Sequence, residues 1–200
     1  MGTAFIVKNT QASVVVNLVT KWGSYGAEEI PTPYGVAVNS SGNVFVSDVG
    51  NNKIKKFDSS GNYVSSFGSF GSGDGQFNQP YGIAIDSSDN MYITDTGNDR
   101  VQKFDSSGVY VTQWGSSGSG NSEFIFPIGI AVDSSNNIYV VDNGSSRVQK
   151  FDSSGTYISQ FGSNGSGNGE FLQAYGVAID SFDNMYITDT GNDRVQKFDS

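Results

Sequence analysis

The chain has 200 residues, of which 36% are hydrophobic and 16% are charged, with a formal net charge of −9 and a pI near 4.2. This acidic balance repels phosphate backbones and makes nucleic acid an unfavourable partner. The chain has no cysteine and no histidine, which excludes disulfides, zinc–thiolate sites and the commonest general base.

Two strand-like segments precede the main body of the chain. Residues 4–8 have the pattern of a degenerate strand, and residues 18–23 align with residues 110–115. No stretch reaches the roughly 20 apolar residues of a membrane-spanning helix, and the first residues lack the pattern of a signal peptide. We therefore treat 1–30 as one region, with 18–23 as an outer strand that could clasp another blade, and 31–200 as the second region.

The second region repeats itself every 47 residues. The repeat is marked by four glycines, four aspartates and four phenylalanines that each keep this step. The glycines are Gly35, Gly82, Gly129 and Gly176. Short alternating segments, separated by turns rich in Gly, Ser, Asn and Asp, fill each period. A period of this length predicts an all-β propeller with one blade per repeat.

The second unit shows the four antiparallel strands that we predict for each blade. Residues 82–86 form an inner strand with small side chains on one face. Residues 91–95 form a second strand with sizeable side chains on both faces. Residues 100–104 form a more polar third strand, which we expect to be more solvated, and residues 110–114 form the outer strand. The following loop closes on a phenylalanine that can plug the space between blades.

The repeated motifs resemble the NHL repeat. Its unit reads roughly Pro-x-Gly-Ile-Ala-Val-Asp and later Asp-x-Gly-Asn-x-Arg-Val-Gln, which residues 80–86 and 95–102 match. The fourth unit matches equally well through 189–196, whereas the first has Lys53 in place of Arg. The resemblance covers about residues 22–200 and implies an NHL-type β-propeller, usually of six blades.

Six units of 47 residues would need 282 residues, so two architectures are open for about four blades. In one, four blades close on themselves, with residues 18–23 completing the last blade, which lacks its own outer strand. In the other, the chain is an open arc or part of a six-bladed ring. We favour the second, because a blade shaped for six-fold closure would have to splay substantially in a ring of four, and close packing resists this.

One face of the predicted propeller, at the mouth of the central channel, carries the candidate binding residues. We assign to it three tyrosines, with Ile128 breaking the series, and four aspartates. These residues are Tyr34, Tyr81, Tyr175, Asp48, Asp95, Asp142 and Asp189. Tyrosine gives flat contact area with a polar tip, which suits a peptide or sugar. Alternatively, the tyrosines pack over the channel and the aspartates tie turns.

A repeated arginine follows each of the last three aspartates. Arg100, Arg147 and Arg194 could form an anion-binding ring, but we favour a structural role in which each arginine bonds to turn carbonyls and the preceding aspartate. A structural contact is needed in every blade, whereas a catalytic group is needed once.

The sequence favours a non-catalytic binding or scaffold module for a protein, peptide or carbohydrate ligand. A structural or cell-surface repeat protein is the alternative, and the Ser/Gly/Asn-rich exterior slightly favours an extracellular location. The NHL resemblance adds a second alternative, a metal-dependent lyase or hydrolase of the six-bladed type. We find no catalytic constellation, predict no metal and no cofactor, and expect open blade edges to promote self-association.

Overall fold

The computed structural model describes residues 21–23 and 29–199, in which fifteen β-strands form four antiparallel sheets. Each sheet is one propeller blade, with its strands paired in chain order from the inside outwards. Blade 1 contains β1 (Pro33–Val38), β2 (Val44–Asp48), β3 (Lys53–Phe57) and β4 (Tyr63–Phe67). Blade 2 contains β5 (Pro80–Ile85), β6 (Met91–Asp95), β7 (Arg100–Phe104) and β8 (Tyr110–Trp114). Blade 3 contains β9 (Pro127–Val132), β10 (Ile138–Asp142), β11 (Arg147–Phe151) and β12 (Tyr157–Phe161). Blade 4 has three described strands, β13 (Ala174–Ile179), β14 (Met185–Asp189) and β15 (Arg194–Phe198).

Aspartate side chains set the tight turns between neighbouring strands. In the hairpin between β5 and β6, Asp86 Oδ1 accepts the backbone N–H groups of Ser88 and Asn90, both at 2.9 Å. Asp152 holds the turn between β11 and β12 in the same way. Short polar side chains that bond to nearby backbone favour such turns over continued strand, so this spacing keeps every strand to five or six residues.

The blades pack face to face, and we call the side toward the next blade in the chain the forward face and the other the back face. The loop phenylalanines Phe77, Phe124 and Phe171 are fully buried, and each fills the space between one blade and the next. The sequence predicted this role for them. Apolar burial of this kind supplies about 25 cal/mol per Å² of surface removed from water.

Close approach of the inner strands explains the repeated glycine. A Cβ atom on Gly35 would lie 2.4 Å from the carbonyl oxygen of Tyr81, and one on Gly82 would lie 2.4 Å from that of Ile128. Gly129 meets the Tyr175 carbonyl in the same way, at 2.2 Å. Glycine is therefore required wherever an inner strand packs against the next blade.

The end blades each keep one face exposed. Val36 and Val38 are exposed on the back face of blade 1, and Val195 is exposed on the forward face of blade 4. The corresponding residues of the inner blades, such as Ile130 and Val101, are buried. Within the described residues, the four blades thus form an open array, as the predicted open arc requires.

The third strand of blade 2 is largely buried, although its polar sequence predicted that it would be solvated. Arg100 and Gln102 in β7 are both buried. Their polar groups bond to loop carbonyls and to Asp95, so burial leaves them satisfied rather than stranded. A polar strand therefore lies inside the blade because a neighbouring loop supplies its hydrogen-bond partners.

Much of the predicted N-terminal region lies outside the described residues. The strand at 4–8 and the part of segment 18–23 before residue 21 belong there, so the clasp and the boundary at residue 30 stay predictions. The described Trp22 packs against Phe57 of blade 1, with ring centroids 6.0 Å apart. In the part of the chain that the structure describes, no helix has the length and apolarity to cross a membrane.

Candidate functional site

Aromatic side chains gather at the end of the array where the chain enters each inner strand. The rings of Tyr34 and Tyr81 meet edge to face, with centroids 4.6 Å apart. Tyr34 is half exposed, whereas Tyr81 and Tyr175 are partly buried. Edge-to-face pairs are favourable beyond the area they bury, so blades 1 and 2 hold these two tyrosines in a defined arrangement.

The tyrosine of blade 4 lies near the same cluster. Burial, together with the nearby hydroxyls of Tyr175 and Tyr81, raises the pKa of Tyr34. Three phenol groups from three blades are therefore close enough to interact electrostatically. Their phenol hydroxyls can donate and accept hydrogen bonds.

Phe126 completes the cluster and was missed by the sequence analysis. Ile128, which interrupts the tyrosine series, is buried, but the Phe126 ring lies 6.0 Å from that of Tyr81 and is 40% exposed. One aromatic side chain from each of the four blades thus lies at this end of the array. The available signal was that Phe126 is aromatic where the other units have Thr32, Gln79 and Gln173.

The backbone of Phe126 is held in the left-handed region, with φ of 62°. The turn imposes this geometry, since Gln79 and Gln173 have φ of 58° and 57° at the same position. The N–H of Phe126 donates to Asp99 Oδ1 at 3.1 Å, which helps hold the turn. A bulky residue in this region is an outlier, and such outliers are concentrated at functional sites.

The four predicted aspartates lie inside the blades rather than on the mouth surface. All four are fully buried, namely Asp48, Asp95, Asp142 and Asp189. Asp95 Oδ1 accepts the Asn78 N–H at 2.7 Å, and its Oδ2 accepts from Asn98, Arg100 and Gln102. Direct contact between a ligand and Asp95 would require this saturated carboxylate to leave its partners.

The three arginines connect each aspartate to the glycine-rich loop of the same repeat. Arg100 Nε donates to Asp95 Oδ2 at 2.7 Å, and its Nη atoms donate to the carbonyls of Ser72, Gly73 and Gln76 at 2.8–2.9 Å. The rigid guanidinium fork can satisfy several acceptors at once. Arg147 and Arg194 repeat this arrangement with Asp142 and Asp189.

The same aspartate titrates differently in neighbouring blades. Burial raises the pKa of Asp142, although the Ile125 N–H and Arg147 oppose that shift. Burial also acts to raise the pKa of Asp189, but hydrogen bonds from the Leu172 N–H, Asn192 and Arg194 outweigh it and lower the pKa. The pKa values of these two aspartates shift in opposite directions because blade 3 is covered on both faces and blade 4 on one, so burial prevails only at Asp142.

The chemistry available at the mouth is that of a recognition surface. It offers the exposed rings of Tyr34 and Phe126 together with the phenol hydroxyls of the three tyrosines. Among the described residues, no group of three or more His, Cys, Asp or Glu side chains is arranged to hold a metal ion. Flat rings with polar tips can stack on and hydrogen-bond to a bound ligand.

Comparison with known proteins identifies the repeat. The NHL repeat model matches residues 32–57, 77–104 and 124–151, which lie in blades 1 to 3. No curated protein sequence matches the chain.

Solved propeller structures resemble the chain at low sequence identity. A streptogramin B lyase structure is 17% identical with a TM-score of 0.62, covering 84% of this chain and 54% of that one. Virginiamycin B lyase from Staphylococcus aureus is 15% identical with a TM-score of 0.60, covering 84% and 55%. A protein of unknown function from Bacteroides thetaiotaomicron is 20% identical with a TM-score of 0.65, covering 82% and 46%.

The chain spans about half the length of these structures, and at such identities the likeness concerns the fold alone. The repeat motifs and the four sheets both indicate a β-propeller. Three of the four units of this chain are thus similar to the NHL repeat, and its fold is that of a β-propeller.

Proposed function

We propose that this chain is a non-catalytic binding or scaffold module that recognises a protein, peptide or carbohydrate ligand at the aromatic mouth. The aromatic mouth consists of Tyr34, Tyr81, Phe126 and Tyr175. The observation that carries the proposal is that every blade places one aromatic side chain at the same end of the array. The propeller fold is itself a common protein-binding scaffold.

Exposure and strain both support this assignment. The half-exposed Tyr34 is available for contact, and Phe126 keeps an apolar ring in water on a strained backbone. A packing role alone would not need a phenylalanine there, because glutamine occupies the same turn in blades 2 and 4. Strain retained beside exposed aromatic surface is typical of binding sites.

The aspartates enter the proposal as supports of the mouth. Asp95 and Asp142 each accept the N–H of a residue just before an inner strand, namely Asn78 and Ile125. They thereby position the backbone that carries the aromatic residues. In this role the carboxylates orient the binding surface without touching the ligand.

The lyases among the similar structures make a metal-dependent lyase or hydrolase the alternative. The chain has no histidine, which removes a common proton-transfer group from any such mechanism. The mouth aspartates are each already bonded within a blade. We therefore propose recognition as the function and keep catalysis as an alternative. A structural or cell-surface role is a further alternative that the same fold can serve.

The test is binding of the full chain to arrays of glycans and peptides, followed by titration of any positive. Phe126→Gln is a sharp variant, because glutamine already occupies that turn in two other blades. We expect it, Tyr34→Ala and the pair Tyr81→Ala and Tyr175→Ala to weaken binding by about tenfold or more. The fold, followed by circular dichroism, should stay largely intact.

Phe182→Ser is the matched control. Phe182 is exposed in the hairpin between β13 and β14, at the opposite end of its strand from the mouth, and serine occupies this position in blade 2. Its replacement should leave binding unchanged. Equal loss of binding in the control, or unchanged binding in Phe126→Gln and Tyr34→Ala, would contradict a site at the mouth.

A further inference from the structure

Two exposed aliphatic side chains extend the aromatic mouth across blades 3 and 4. Ile125 is 42% exposed and immediately precedes Phe126, and Leu172 holds the same position in blade 4 and is 41% exposed. A Cβ on Gly144, in the turn after β10, would meet Ile125 at 2.5 Å. Asn143 of that turn donates to the first carbonyl of β13 at 2.7 Å. The turn thus bridges the segments that carry the two aliphatic residues, and with Phe126 they form an apolar rim.

The exposure of the apolar rim does not arise from an uncovered blade face. Blade 3 is packed between blades 2 and 4, and Ile125 and Phe126 are nevertheless exposed. Leu172 in blade 4 has nearly the same exposed fraction as Ile125, so its position in the last blade does not account for it. Contiguous exposed apolar groups on a folded protein are typical of interaction sites.

The fold does not require apolar residues at these positions. The corresponding residue of blade 2 is Asn78, whose Nδ2 donates to the Gly97 carbonyl at 3.2 Å. The backbone bond is the same in all three blades, because the N–H groups of Asn78, Ile125 and Leu172 each donate at 2.7 Å to the aspartate that ends the second strand. A polar side chain therefore fits the same turn, and the turn does not explain the aliphatic residues.

A carboxylate accompanies each aliphatic residue. Glu123 lies two residues before Ile125, and Glu170 holds the same position in blade 4, whereas the second repeat has the neutral Gln76 there. Gln76 Oε1 accepts a loop glycine N–H at 3.0 Å, as Glu123 Oε2 does at 2.7 Å. An amide thus serves the loop as well as a carboxylate, so the loop does not explain the charge. The aliphatic and acidic residues occur together in blades 3 and 4.

These carboxylates have no cationic partner within the described part of the chain. Asp74 and Asp99 lie at the same end of the array, and Asp99 Oδ1 accepts the Phe126 N–H. Among the described residues, no lysine or arginine lies within ion-pair distance of Asp74, Asp99, Glu123 or Glu170, and each third-strand arginine is paired with its own buried aspartate. The mouth therefore attracts a cationic group, and the net charge of −9 steers such a ligand toward the chain.

We propose that the ligand of the aromatic mouth is a basic peptide segment. Its apolar side chain packs on the apolar rim, and its lysine or arginine side chain faces Asp99, Glu123 and Glu170. This assignment rests on the proposed function and names the ligand class of the same site.

The side chains of the rim favour a peptide over a sugar. Ile125 and Leu172 have no π face and cannot stack on a sugar ring as an aromatic residue does. A polypeptide supplies an apolar group and a cationic group within a few residues, which matches the paired aliphatic and acidic positions. The exposed ring of Phe126 can also lie against an ammonium or guanidinium group.

Peptide arrays with fixed apolar content and varied charge, beside an array of neutral glycans, test the assignment. The full chain should bind peptides that combine apolar residues with lysine or arginine. Peptides with glutamate or aspartate instead, and basic peptides without apolar residues, should bind about tenfold more weakly or worse. The affinity for basic apolar peptides should fall as salt is added, and the neutral glycans should not bind.

Residues borrowed from blade 2 give variants that the fold accepts. Ile125→Asn should weaken binding of a basic apolar peptide about tenfold and leave its salt dependence unchanged. The pair Glu123→Gln and Glu170→Gln should weaken it about fivefold and flatten the salt dependence. Asp105→Asn is the matched control for charge, because Asp105 holds the turn between β7 and β8, at the opposite end of the blade. It should leave the affinity nearly unchanged.

The outcomes separate this assignment from the proposed function. Binding of acidic peptides or neutral glycans that Phe126→Gln weakens would overturn the basic peptide but keep the mouth as a binding site. Basic peptides that bind equally well to Phe126→Gln and Ile125→Asn would overturn both, and so would a chain that binds neither array. Equal weakening by Asp105→Asn and Glu123→Gln would indicate charge attraction without a site and would overturn the assignment.

Discussion

Asp48 in blade 1 lacks a hydrogen bond that the equivalent aspartates of the other blades receive, because Pro31 occupies the position of the donor. In the other blades, the equivalent aspartate Oδ1 accepts a backbone N–H from the residue seventeen positions earlier, at 2.7 Å. In blade 1 that residue is Pro31, which has no N–H. Asp48 Oδ1 is accordingly buried without a hydrogen-bond partner among the described residues.

Replacing the proline should repair this defect. Pro31→Asn introduces the N–H that Asn78 provides in blade 2, and we expect the free energy of unfolding to rise by about 1 kcal/mol after the loss of proline rigidity. Chemical denaturation measures the change. Pro33→Ala is the control, because it removes a nearby proline without a new donor to Asp48, and alanine occupies that position in blade 4. An equal response of both variants would contradict the repair.

The arginine contacts should matter more inside the array than at its end. Arg100→Met removes the charged partner of the buried Asp95 and takes a donor from three loop carbonyls, and we expect it to cost about 3–5 kcal/mol. Arg194 makes the corresponding bonds to Asp189 and three loop carbonyls but is partly exposed, so water can replace them and Arg194→Met should cost about 1–2 kcal/mol. Thermal and denaturant unfolding compare the two. Equal costs would show that burial does not govern this contact.

The repeated glycine provides a second comparison between equivalent positions. Gly82→Ala would force a methyl group to 2.4 Å from the Ile128 carbonyl and should destabilise the fold by about 1–3 kcal/mol. Gly176→Ala meets only the Thr188 side chain, at 3.2 Å or more. In dilute protein it should change stability by less than about 1 kcal/mol. Similar losses in both variants would contradict the close-approach explanation.

Acid should weaken the fold through its turn aspartates. Hydrogen bonds from the Ser154 hydroxyl and the Thr156 N–H lower the pKa of Asp152 to about 2. The folded chain thus binds this proton more weakly than the unfolded chain, whose aspartate titrates near 3.9. The stabilisation is present above about pH 4 and is lost as the pH falls toward 2.

Urea unfolding measured between pH 5 and pH 2 tests this dependence. Asp152→Asn keeps an acceptor oxygen for the turn but removes the titrating group, so its stability should fall less steeply over this interval. Asp58 and Asp180 also have lowered pKa values because of hydrogen bonds within their turns. The variant should therefore reduce the slope without abolishing it. A slope identical to that of the unmodified chain would exclude Asp152 as a contributor.

Local patterns predicted the strands well, because their signals lie within a few residues. Alternation and turn aspartates mark β5 and β6, and the structure has both strands within a residue or two of the expected bounds. The third strand was misjudged for the opposite reason. The burial of Arg100 depends on carbonyls of Ser72, Gly73 and Gln76, which are 24–28 residues away, and no local pattern reports such contacts.

The candidate site also contains residues that a local sequence pattern indicates and residues that it does not. The tyrosines were found because they recur with the repeat, and Phe126 was missed because it replaces a polar residue in a single unit. The aspartates looked like surface groups in sequence, yet they are buried. Residue type alone cannot distinguish a carboxylate that faces solvent from one that is saturated by internal donors.

By itself, the sequence determined that four near-identical units form small antiparallel sheets, since periodicity and turn chemistry are written into each unit. It also determined that these 200 residues offer neither a histidine nor a cysteine. Only the tertiary structure decided which faces are covered, because coverage depends on neighbours rather than on residue type. Tyr92 and Tyr186 have the same local sequence, yet one is buried by blade 3 and the other lies on an open face.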